Sequence, residues 1–83
     1  MVFKIINHVE CYHGYKGDER PLSFIYQNRR WKIIDIIDRW YEGGIDYRQP
    51  VKNYFKVLSK EGETFLLCYN PKFNSWAVQL KNK

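Results

Sequence analysis

The side chains of this chain that could do chemistry are few, and their spacing serves them poorly. His8-x-x-Cys11-x-His13 is the one cluster of metal-ligating types. On a strand, side chains alternate between faces, so Cys11 and His13 share a face and His8 lies on the other. Zinc needs four ligands, or three and an open position, and this run does not supply them. Asp35 and Asp38 are three apart, which sends them to opposite faces of a strand; on a helix they would share a face beside Arg39. A glycosidase-type acid/base pair needs two carboxylates about 5–9.5 Å apart across a cleft, and 83 residues leave little room for one. The two aspartates read better as solvated groups or as partners of nearby Lys and Arg. Gly14-x-x-Gly17 lacks the Lys-Ser/Thr of a phosphate-binding loop. No catalytic residue, metal site or cofactor is expected, and an enzyme is disfavoured.

A different signal comes from basic residues interleaved with aromatics. Asn28-Arg29-Arg30-Trp31-Lys32 sits at the tip of the second hairpin, where cations and a ring can grip a nucleic-acid backbone. Further on, Lys52, Tyr54, Lys56, Leu58 and Lys60 alternate with the apolar set Phe55 and Val57. On a strand the lysines would share one face with Tyr54, combining charge neutralisation with a stacking ring. Lysines on an exposed strand face also discourage aggregation without binding anything. The expected contact residues are Arg29, Arg30, Trp31, Lys32, Lys52, Tyr54, Lys56 and Lys60.

These groups must be positioned by a single small domain, residues 1–83. The chain carries 14 Lys and Arg against 9 Asp and Glu, a formal charge of +5, consistent with a polyanionic partner only where the charge concentrates. Apolar residues make up 45% of it and aromatics 18%, too apolar for disorder. A domain this short must pack large side chains densely. Cys11 and Cys68 are too few for a disulfide framework. No apolar run approaches the roughly 18 residues of a membrane helix. No signal peptide is visible, so a cytoplasmic protein is expected.

Gly and Pro punctuate the chain into segments of about 7–12 residues, the pattern of an all-β domain. The strands expected are Val2 to Tyr12, Leu22–Gln27, Trp31 toward Ile37, Asn53–Ser59, Thr64–Tyr69 and a short Trp76–Leu80. They form a small curved antiparallel sheet or barrel of five to six strands, curled to protect its edges. A three-residue loop at Lys60-Glu61-Gly62, with Gly62 left-handed, sets Val57 opposite Phe65 and Phe55 opposite Leu67. A one-residue slip would scatter that apolar face. Residues 33–42 fit a strand bulged near Asp38 or a short helix, and four isoleucines in five positions favour the strand. The expected core is Phe24, Tyr26, Ile34, Ile36, Trp40, Phe55, Val57, Phe65, Leu67, Tyr69 and Trp76.

Several runs resemble a bacterial domain family of unknown function. They are Arg20-Pro21-Leu22-Ser23-Phe24-Ile25-Tyr26, then Arg29-Arg30-Trp31-Lys32-Ile33, then Ile37-Asp38-Arg39-Trp40. Tyr54-Phe55-Lys56-Val57, Glu63-Thr64-Phe65-Leu66-Leu67-Cys68-Tyr69 and Trp76 follow. The likeness runs from about Arg20 to Leu80. Members of that family occur as small stand-alone proteins and as a C-terminal appendage of Y-family translesion-polymerase-like proteins. The resemblance implies a strand from Trp31 to Trp40 and a binding module near DNA or a replication or repair protein, and it supplies no catalytic residues. The expected function is therefore a non-enzymatic nucleic-acid-binding accessory. The alternative is a protein-interaction or homodimerisation module using apolar surface such as Leu58 and Leu66.

Overall fold

The computed structural model describes residues 3–13, 19–43 and 52–81, and they contain seven strands and no helix. These are β1 (Lys4–Ile6), β2 (Val9–His13), β3 (Glu19–Tyr26), β4 (Arg29–Glu42), β5 (Lys52–Ser59), β6 (Thr64–Asn70) and β7 (Ser75–Lys81). All pair antiparallel in one curled sheet of order β1-β7-β6-β5-β4-β3-β2, a half-barrel. The fold class is as expected. The strand count rises to seven because the first expected strand breaks at Asn7 and His8. Its first part pairs with β7 and its second with β3, so consecutive segments supply both edges of the sheet. The Ile25 amide donates to the His8 carbonyl at 3.0 Å, carrying the pairing across the break. Gly14, Gly17 and the loop 44–51 lie outside the described residues, as does the side chain of His13.

The curl encloses Ile6, Phe24, Trp31, Phe55, Val57, Phe65, Leu67 and Val78. Phe65 is the hub, its ring edge-on to Phe24 at 5.0 Å, to Tyr26 at 6.0 Å and to Trp31 at 4.9 Å. Such ring pairs add about 0.5–1.5 kcal/mol each beyond the area they bury. The β5–β6 loop has the expected register, with Val57 opposite Phe65 and Phe55 opposite Leu67. Gly62 adopts φ +92°, where a side chain would be strained. Ser59 closes the loop: its hydroxyl accepts the Glu63 amide at 3.0 Å, and its carbonyl accepts the Gly62 amide at 2.9 Å.

Residues 33–42 are strand throughout, and β4 carries two bulges. Ile33 pairs with Ser59 and Asp35 with Leu58, which leaves Ile34 as an extra residue; Ile36 pairs with Val57 and Asp38 with Lys56, which leaves Ile37. A third bulge leaves Leu22 extra in β3. All three extra residues are apolar and exposed, Ile34 at 57% and Ile37 at 49%. Ile34 is thus not a core residue: it alternates outward from buried Trp31 and half-buried Ile33, and the bulge then lets Ile36 turn inward. Trp40 is not core either, at 38% exposed. It lies opposite Tyr54 on the outer face, because Phe55 one step along β5 is buried.

Strand β4 also changes neighbours along its length. Arg29–Lys32 pair with β3, and from Ile33 onward the ladder runs with β5 alone. Among the described residues, β4 has no ladder partner on its other side beyond Ile33. The Arg39 amide there is taken by the Asp38 carboxylate at 2.8 Å.

Candidate nucleic-acid interface

Strand β5 displays its basic residues by simple alternation. Phe55, Val57 and Ser59 are buried, so Lys52, Tyr54, Lys56, Leu58 and Lys60 stand on the outer face. The Lys60 amide donates to the Lys32 carbonyl at 2.8 Å, which sets Lys60 beside Lys32 on β4. Lys32 shares its face with Arg30 two residues back. Five of the expected contact residues, Lys32, Lys52, Tyr54, Lys56 and Lys60, therefore share one surface, spanning ~27 Å along β5 at about 3.3 Å per residue.

The other three play different parts. Arg30 belongs to this face, but its guanidinium pairs with Glu10 at 2.9 Å, and Glu10 also accepts the Ser23 hydroxyl at 2.8 Å. Arg29 points the other way, its guanidinium 4.4 Å from the Trp31 ring centroid and 3.5 Å from Glu61. Trp31 is 8% exposed and cannot stack on a ligand. The hairpin tip is Gln27-Asn28, both at positive φ, a two-residue primed turn. That tip sets Trp31 directly opposite the buried Phe24. The indole N–H is satisfied by the Tyr26 carbonyl at 3.2 Å.

Acidic residues face the lysines across β4. Glu42 is opposite Lys52, Asp38 opposite Lys56, and Asp35 opposite Leu58. Asp35 and Asp38 thus share a face although three apart, because the extra Ile37 shifts the alternation between them. Opposed charges across strands contribute roughly 0.2–1 kcal/mol per pair. Neither of the two ion pairs among the described residues includes a lysine. Among the described residues, no carboxylate forms an ion pair with the lysines of β5.

Each charged row carries one ring, and the two rings stack. Trp40 and Tyr54 have centroids 5.3 Å apart and planes 11° from parallel. Phe3 approaches Tyr54 from the β1 side at 6.4 Å, across a row in which Tyr54 is followed by the small residues Cys68 and Ala77. The Tyr54 hydroxyl donates to the Glu42 carboxylate at 2.6 Å. That bond, reinforced by partial burial, holds the phenol's pKa well above its ordinary value. Burial likewise raises the Cys68 thiol, which makes it a poor nucleophile. Trp40 is the site residue missing from the expected set. Its signal was present in Asp38-x-Trp40-x-Glu42, an aromatic between two acids on one strand face.

Among the described residues no group of three or more His, Cys, Asp or Glu could hold a metal ion. Neither Cys11 nor Cys68 forms a disulfide. Among the described residues no helix is long and apolar enough to cross a membrane. No family model, curated protein or solved structure matches the chain.

Proposed function

We propose that this domain is a non-enzymatic nucleic-acid-binding accessory module whose contact surface is the outer face of β4 and β5. The observation that carries the reading is the row Lys52, Tyr54, Lys56 and Lys60, joined by Lys32, with the Tyr54 ring stacked on an exposed Trp40. Such lysines neutralise phosphates and release counterions, and rings beside them accept bases. Fluorescence anisotropy of labelled single-stranded DNA at low salt tests it. Binding should occur with the natural chain and be lost on combined Lys56→Glu and Lys60→Glu substitution. Equal binding by the charge-reversed variant sinks the proposal.

A second reading, a protein contact or homodimer without nucleic acid, is favoured by the exposed Ile34 and Ile37 where β4 has no ladder partner among the described residues. Leu58 and Leu66 are half-buried and contribute less to such a surface. Light scattering coupled to size exclusion separates the two: a dimer dissolved by Ile37→Glu supports the second reading, and a monomer at high concentration removes it. Residence in the cytoplasm belongs to the same proposal, as does a partner in DNA replication or repair, which rests on the resemblance described above.

A further inference from the structure

Past Lys32 on β4, the acidic and basic rows of the proposed interface are not mixed. Lys52, Lys56 and Lys60 stand on the β5 side, and the carboxylates of Asp35, Asp38 and Glu42 stand on β4. A phosphate backbone following the lysines is held away from β4 by those carboxylates, so its bases are the parts that extend over β4. There they meet Trp40, with Asp38 two residues before it and Glu42 two residues after it on the same face. Tyr54 covers one side of this indole, leaving it 38% exposed, and no described strand flanks it on the far side of β4. Only an unpaired base has a free face to lay on such a ring; in a duplex that face is already stacked.

The flanking acids add selectivity. An ionised carboxylate only accepts hydrogen bonds. Cytosine and adenine present exocyclic amino groups as donors on their edges, and a carboxylate accepting from cytosine N4 is a recognised pairing. Thymine and uracil offer one imide N–H between two carbonyl oxygens, which a carboxylate repels. Asp38 and Glu42 each spend one oxygen internally, on the Arg39 amide and on the Tyr54 hydroxyl, and these bonds fix the carboxylates in place.

Resting on the nucleic-acid reading above, we infer that the β4 side of this face takes single-stranded nucleic acid, stacking an unpaired base on Trp40. Asp38 and Glu42 there favour bases that carry an amino group. The test compares labelled oligo(dC), oligo(dA) and oligo(dT) of equal length, and a duplex, at one salt concentration. Oligo(dC) and oligo(dA) bind several-fold more tightly than oligo(dT), and single strands more tightly than duplex. Trp40→Ala weakens every single strand and erases the advantage over duplex, whereas Trp40→Phe retains part of it. Asp38→Ala combined with Glu42→Ala tightens oligo(dT), since repulsion falls, while the ratio of oligo(dC) to oligo(dT) affinity drops toward unity. Oligo(dT) binding as well as oligo(dC) in the natural chain overturns the inference. So does a double variant that tightens both strands equally, because the acids then act by repulsion alone. In either case the nucleic-acid reading survives; absence of binding to any strand removes both.

Discussion

Trp40 and Tyr54 lie directly opposite one another on β4 and β5, with ring centroids 5.3 Å apart and planes 11° from parallel. This stack sits where β4 is laddered to β5 alone, so it reinforces a two-strand contact as well as building the proposed interface. Exposure limits its structural weight. Trp40→Ala should lower stability by about 1–2 kcal/mol, the scale of an aromatic pair plus partial burial. A urea titration checks this, and a loss on the scale of a core truncation, about 3–5 kcal/mol, would assign Trp40 to the core after all.

The core proper should respond far more strongly. Phe65 touches the rings of Phe24, Tyr26 and Trp31 and is fully buried. Phe65→Ala should remove about 3–5 kcal/mol, a large share of the roughly 5–15 kcal/mol such domains possess. Circular dichroism melts should show a midpoint lowered by at least about 12 °C, and a melting curve like that of the natural chain contradicts the packing described.

Two turns differ in what they tolerate. Nothing lies within 4 Å of a Cβ built on Gly62, so Gly62→Ala meets only the strain of φ +92° and should lose about 1–2 kcal/mol. Gln27 and Asn28 occupy φ 55° and 60° without glycine. Asn28→Gly should therefore stabilise the β3–β4 hairpin by about 1 kcal/mol. Thermal melts of the two variants should move in opposite directions.

Alkaline pH should expose the Tyr54–Glu42 bond. The fold raises the Tyr54 phenol and the Cys68 thiol above their ordinary values of 10.0 and 9.0, favouring the protonated forms. The stability they contribute is complete below those ordinary values and is lost as pH rises through the folded ones. Denaturant midpoints of the natural chain should hold through neutrality and fall above about pH 9–10. Tyr54→Phe, which keeps the ring and loses the hydroxyl, should fall less steeply. Parallel curves for the two chains contradict the bond's role.

Much of this architecture was legible in the sequence, and the exceptions share a cause. The Phe55/Val57 and Phe65/Leu67 pairing followed from keeping one apolar face, and Gly62 supplied the loop that register needed. The lysine row of β5 followed from the same alternation. Alternation fails where the chain inserts a residue. The bulge at Ile34 let Ile36 turn inward while Ile34 stayed outward, and the bulge at Ile37 gathered Asp35 and Asp38 onto one face. Counted from Ile36, that second insertion also keeps Trp40 outward with the β5 row it faces. Trp31 departs from expectation for a different reason: Gln27 and Asn28 are not glycine, so the sequence does not mark the tip of their primed turn and the basic run reads as the tip. The break at Asn7 and His8 comes from the closure of the sheet, which no local pattern announces.

The site predictions separate residues that sequence alone grouped together. Arg29→Ala should change DNA affinity less than Lys56→Ala, since Arg29 lies on Trp31 and Glu61 rather than on the lysine face. Anisotropy titrations under matched salt check the order, and the reverse order moves the interface to the barrel end.

The most direct test of the central claim is the salt dependence of binding to single-stranded DNA. If Lys32, Lys52, Lys56 and Lys60 neutralise about four phosphates, the slope of log affinity against log salt is about −3. Replacing Lys56 and Lys60 by Ala should reduce that slope by about 1.4. A flat salt dependence, or an unchanged slope in the double variant, contradicts the assignment of this face.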